Sequence, residues 1–132
     1  MDHETALINA FILRERRARY TGMLSNPKKR TKILGKLHHL KDLDPRFIIE
    51  ISPSDHYSDT IATLLMKRGA PEQCHVIGGT RELDGRNVQL VEALDEVVAW
   101  GYGTLISCIP GRLGFYEGED LTIRYILERK IT

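Results

Sequence analysis

The chain has 132 residues, of which 42% are hydrophobic and 28% charged, and its formal net charge is +1. Those values fit one average globular domain and exclude wholesale disorder, a collagen-like repeat and a coiled coil. Two cysteines are too few for a disulfide scaffold, and Glu92, Asp95, Glu96 and Arg112 interrupt the apolar run from Leu90 to Tyr116, which excludes a bilayer span. The start, MDHETALINAF, lacks the basic stretch of a signal peptide. The expectation is a soluble, cytoplasmic, single domain over residues 1–132.

Asp2 is a candidate N-cap, and residues 3–21 read as a helix with Leu7, Ile8, Phe11, Ile12 and Ala18 on one face and Gly22 as C-cap. Asn26-Pro27 starts a second helix. It carries Ile33, Leu34, Leu37 and Leu40 and closes at Asp44-Pro45, because a residue before proline is pushed out of α geometry. Together they predict a basic αα-hairpin over residues 1–44.

Residues 45–132 predict a sheet with two packed helices. Arg46–Ile51 is a β-branched first strand. Ser52-Pro53 then opens a helix to about Arg68, with Tyr57, Ile61, Leu64 and Leu65 inward. Gln73–Ile77 is a second strand, followed by the polar turn TRELDGRN. Asn87 caps a helix with Leu90, Val91, Leu94, Val97 and Val98 inward, the clearest amphipathic signal in the chain. Gly103–Ile109, Arg112–Glu117 and Leu121–Arg129 read as three antiparallel strands. Pro110-Gly111 between the first two demands a type II turn, a wider loop or a bulge, since proline cannot take positive φ. The order β-α-β-α-β-β-β predicts an α/β or α+β fold. Two parallel, right-handed crossovers and an antiparallel meander then make a mixed sheet of about five strands.

Charge is uneven. Residues 1–48 hold 11 Lys/Arg against 5 acids, whereas residues 49–132 hold 8 against 13. RERRARY and PKKRTK resemble a phosphate-binding footprint, which makes Arg16, Arg17, Lys28, Lys29, Arg30 and Lys32 the candidate partner-binding residues. On one continuous helix, though, the four arginines 14, 16, 17 and 19 surround the axis instead of forming a stripe, and Tyr20 is the lone interleaved aromatic.

Chemistry has weaker signals. Cys108 ends a predicted strand, and His75, on a predicted neighbour, is a base that a thiol nucleophile requires. Strand alternation lets only one of Cys74 and His75 share the face of Cys108, and free cysteine is among the most buried residue types. Glu117, with Glu119 and Asp120, offers paired carboxylates. A metal site is not expected. There is no C-x₂-C or H-x₃-H pair, and adjacent His38 and His39 would diverge by about 100° on a helix. No cofactor motif is present: Gly78-Gly79-Thr80 lacks the adjoining helix that a phosphate loop needs.

The leading expectation is therefore a non-enzymatic binding or regulatory protein that contacts nucleic acid or an acidic protein through its basic helical hairpin. One alternative is a small thiol- or carboxylate-dependent enzyme centred on Cys108, His75 and Glu117. Another is a structural homo-oligomer joined through an exposed edge of the β-meander. No membrane partner is expected.

Overall fold

Hydrophobic residues alternate along the central strands, and each alternate set finds its own layer of helices. The computed structural model describes residues 2–120 and 122–130. It is an α+β fold with helices α1 (His3–Phe11), α2 (Arg17–Leu24), α3 (Pro27–Leu34), α4 (Ser58–Lys67) and α5 (Leu90–Val97). Strands β1 (Ile48–Glu50), β2 (Gln73–Gly78), β3 (Asn87–Gln89), β4 (Thr104–Ile109), β5 (Leu113–Glu117) and β6 (Arg124–Glu128) form one sheet in the order β1-β6-β5-β4-β2-β3.

One face of the sheet carries Cys74, Val76, Ile106, Cys108, Leu113, Phe115 and Ile126 and packs on α4 and α5. The other carries Ile77, Leu105, Tyr116 and Leu127 and packs on the N-terminal helices. Among the described residues no helix is long and apolar enough to cross a membrane.

Every strand pairing is antiparallel, which corrects the expected mixed sheet. The cause lies in the polar turn. Leu83, Asp84 and Gly85 fold the chain back, so Asn87 enters a short strand beside β2 instead of capping a helix, and α5 begins at Leu90 after Gln89. That extra reversal brings β4 to β2 in antiparallel register, Val76 opposite Ile106. The first crossover leaves β1 at one edge of the sheet, with β6, β5 and β4 lying between it and β2.

The predicted helix over residues 3–21 is two helices. Ile12 forms a bridge with Leu43, and the chain is sewn there by Leu13 N–H to Asp42 O at 2.8 Å and Asp44 N–H to Phe11 O at 2.7 Å. These long-range bonds take the backbone groups that a continuous helix would have used. Gly22 lies inside α2, and α3 stops at Leu34 instead of Asp44, followed by a 3-10 turn over Leu37–His39. The caps Asp2 and Asn26 are as expected: Asp2 accepts from Thr5 N–H, and Asn26 from Lys28 and Lys29 N–H.

The Ser52-Pro53 start makes only a 3-10 turn, α4 begins at Ser58, and Tyr57 and Val91 face solvent. The expected last-strand residue Leu121 lies outside the described residues.

Pro110-Gly111 makes a tight turn, with Arg112 N–H donating to Ile109 O at 3.0 Å and Gly111 at φ 73°. The register beside it slips: Ser107 faces Gly114 and Ile109 faces Leu113, so Cys108 is the bulged residue.

Candidate functional site

The three residues expected to form a thiol centre do not converge. Cys108 is buried in the α4/α5 layer with Cys74. Burial pushes the Cys108 thiol far above its ordinary value, and it pushes Cys74 up to about 12. Neither forms a thiolate near neutral pH. His75 points from the opposite face of the sheet. Glu117 shares the cysteine face, where it has no exposed surface. It accepts from Arg124 Nε at 2.6 Å and from the backbone N–H groups of Ala99 and Gly101 at 3.2 and 3.3 Å. Arg124 also reaches His56 Nδ1 at 2.6 Å. Glu117 thus anchors the turn after α5, where Ala99 takes φ 76°.

His75 belongs to a second polar network, between α1, α3 and the β2–β3 end of the sheet. Its Nε2 lies 2.7 Å from Glu4 Oε2 and its Nδ1 2.8 Å from Asn87 Oδ1. Two oxygen acceptors on one ring favour the imidazolium, and the bond to Glu4 raises the His75 pKa above its ordinary value. Burial works to raise the Glu4 pKa, but bonds from His75 and Arg30 outweigh it and hold the carboxyl at about 2. Arg30 forks to Glu4 at 2.6 and 2.9 Å and to Asp84 at 2.8 and 2.9 Å. Asp84 in turn accepts Gly78 N–H at 2.7 Å.

His3 stacks on His75 at 5.5 Å, and its Nδ1 sits 2.7 Å from Ser107 Oγ. A cavity of about 350 Å³ opens beside these histidines. Ser107 is 1% exposed beneath His3, and both nitrogens of His75 are committed. The arrangement clamps α1 and α3 to the sheet.

The candidate basic residues divide into two groups. Arg30 is consumed by the clamp, and Arg17 Nε donates to Ile12 O at 2.8 Å, closing the end of α1. Arg16, Lys28, Lys29 and Lys32 are exposed. The break after α1 also reorganises the remaining charges. Arg16 and Arg19 now converge with Lys36, His39 and Lys41 on one groove of about 270 Å³. The single acid there, Asp42, accepts from Tyr20 Oη at 2.6 Å. Lys29, Lys32 and Lys36 succeed each other at spacings of three and four, so a basic stripe runs along α3 into the groove. Arg19, Lys36 and Lys41 were not singled out from the sequence. Their signal was present in the composition but needed the helix break to acquire a direction.

On the other side of the Leu37–His39 turn lies a wider cleft of about 670 Å³, walled by glycines and lined by His38, Arg81 and Tyr102. Tyr102 and Trp100 are exposed large aromatics on the loop after α5. The expected free edge of the β-meander is absent, because β1 covers β6. The sheet ends instead in two three-residue strands, β1 and β3, which are short templates for pairing with another chain.

Comparison with family models, with curated proteins and with solved structures finds no match to this chain.

Proposed function

We propose that the protein is a non-enzymatic binding module for a polyanion, with single-stranded nucleic acid as the partner of choice, engaged by the α2–α3 hairpin. The observation that carries the reading is the convergence of Arg16, Arg19, Lys36, His39 and Lys41 on one groove, fed by the Lys29–Lys32 stripe. Cations that answer an internal acid are worth little to an outside ligand. Here the internal acids Glu4 and Asp84 are already matched by Arg30; in the groove Arg16 lies 4.0 Å from Asp42 and His39 contacts Glu119, which leaves Arg19, Lys36 and Lys41 as the cations for an outside ligand.

A phosphate chain suits this geometry because its charges repeat along a line, and each neutralised phosphate releases counterions. The exposed rings of Trp100 and Tyr102, beyond the same turn, supply faces on which unpaired bases stack. That aromatic component favours a single-stranded nucleic acid over an acidic protein surface.

The test is fluorescence anisotropy of a labelled oligonucleotide against the full chain over a range of salt. Log affinity should fall linearly with log salt, by about 0.7 per phosphate engaged. The double substitution Lys36→Gln/Lys41→Gln should flatten that slope by about 1.4. Absence of salt-dependent binding to single or double strands at low salt removes the reading, and selective binding of a Glu/Asp-rich peptide transfers the groove to an acidic protein.

A further inference from the structure

His38 and His39 stand on the 3-10 turn after α3, and Glu119 on the loop between β5 and β6. On a helix, adjacent histidines diverge, but here their ring centroids are 4.5 Å apart and tilted by 48°. His39 Nε2 lies 2.9 Å from Glu119 Oε2. One ligand atom from each of the three residues falls within 4.8 Å of the others. We propose that His38, His39 and Glu119 form a surface site for a borderline divalent transition ion of the Zn²⁺ type.

The donor set selects the ion. Two imidazoles and one carboxylate suit zinc, cobalt, nickel or copper, whereas calcium and magnesium require oxygen alone. Ligand atoms about 2.0–2.2 Å from a tetrahedral ion lie roughly 3.3 Å apart, so modest side-chain rotation closes the triad. The ion replaces the proton between His39 and Glu119, and three protein ligands leave a position for water or an anion.

The backbone that carries the ligands is held in advance. Glu119 N–H donates to His38 O at 2.9 Å, joining the two loops directly. The buried Tyr116 Oη donates to Leu37 O at 2.5 Å and accepts from Leu40 N–H at 3.2 Å, bracketing the histidine pair. Gly103 completes the support, because a Cβ there would overlap the His38 backbone. A ligand pair on a mobile surface loop would have to be ordered at the moment of binding; this one loses only side-chain freedom. Lys36 and Lys41 share the groove with His39 and oppose the ion's charge, so an anion in the open position would tighten binding. The metal site itself does not depend on what occupies the groove.

Titration calorimetry of the full chain with Zn²⁺ alone, and visible absorption with Co²⁺ alone, test the site. One ion per chain is expected, with the d–d spectrum of cobalt bound by nitrogen and oxygen. His39→Gln and Glu119→Gln, both at exposed positions, should each weaken Zn²⁺ by about tenfold or more, since even outer-sphere partners are worth 10–100-fold. Exposed Glu92→Gln should leave the affinity unchanged. No stoichiometric binding overturns the proposal. So does binding that both variants retain, or a thiolate-to-cobalt charge-transfer band, which would move the ion to Cys74 or Cys108. Circular dichroism on each variant confirms the fold, so a lost site and a lost structure read differently.

Discussion

The two faces of the sheet are covered in different ways. On one, α4 and α5 lay Ile61, Leu65, Leu90, Leu94 and Val97 on a nearly all-apolar surface. Its buried ion pair, Glu117–Arg124, lies on strands β5 and β6 of the sheet itself. On the other face the covering helices are nine, eight and eight residues long, too short to persist in isolation. They contribute Leu7, Ile8, Phe11 and Ile33 to the core, but charged side chains tie their rims to the sheet: Glu4 to His75, and Arg30 to Asp84. Apolar area carries most of the α4/α5 layer, with the Arg68–Glu128 pair and the Ser58–Asp95 bond at its rim. The N-terminal helices add a denser set of directed bonds, and the cations of α2 and α3 left over from those bonds line the outer surface.

Three sets of variants would break or sharpen that contrast. Arg124→Met leaves Glu117 buried without its guanidinium partner and should cost about 3–5 kcal/mol in urea unfolding, while the double variant Arg124→Met/Glu117→Leu should recover only part of the loss, because the Ala99 and Gly101 N–H groups lose their acceptor. If the single variant loses less than about 1 kcal/mol, the pair is not holding the β5–β6 end of the sheet. Next comes Leu94→Ala, where a fully buried side chain is removed and a cost of about 2–5 kcal/mol is expected. Val91→Ala on the exposed side of the same helix should stay within about 0.5 kcal/mol, and equal costs at the two positions would contradict the inward face of α5.

The smallest effect belongs to the clamp and is read against pH. His75 has its pKa raised in the fold, so its contribution is complete below about 6.5 and fades as pH rises through the folded value. Glu4 is lowered, so its share is present above about 4.5 and is lost as pH falls toward about 2. Burial, then the charge on His75, lowers the pKa of His3 and offsets part of the gain from a charged His75. The stability gap between the native chain and His75→Gln should therefore be widest between about pH 4.5 and 6.5. A gap that widens as pH rises above 7 would mean that His75 is neutral in the fold.

Local signals were legible where one segment decides its own structure. The caps at Asp2 and Asn26, the amphipathic α5 and the irregular Pro110-Gly111 turn all follow from residues within a few positions of each other. What escaped depends on distant partners. Ile12 breaks a plausible helix only because Leu43 is opposite it, and β3 exists only because β2 has an open edge. Of the candidate chemistry, alternation already placed Cys74 and His75 on opposite faces, and the bulge leaves Cys108 with Cys74. The pairing of Glu4 with His75, 71 positions apart, and the meeting of His38 and His39 with Glu119 had no signature in spacing.

The pairing of β1 with β6 carries a consequence for the chain during its synthesis. Ile49 must wait for Ile126, so the first strand emerges roughly 75 residues before its only neighbour, about 4–15 seconds at ordinary elongation rates. Through that interval β1 presents unpaired backbone, and near its end β5, once paired with β4, presents an open edge as well. β3 pairs locally with β2, but β1 has no partner until β6 is made, because those two strands lie far apart in the sequence. Nascent chains halted before Arg124 are therefore the species most exposed to association with one another, and the ones for which a chaperone would matter most.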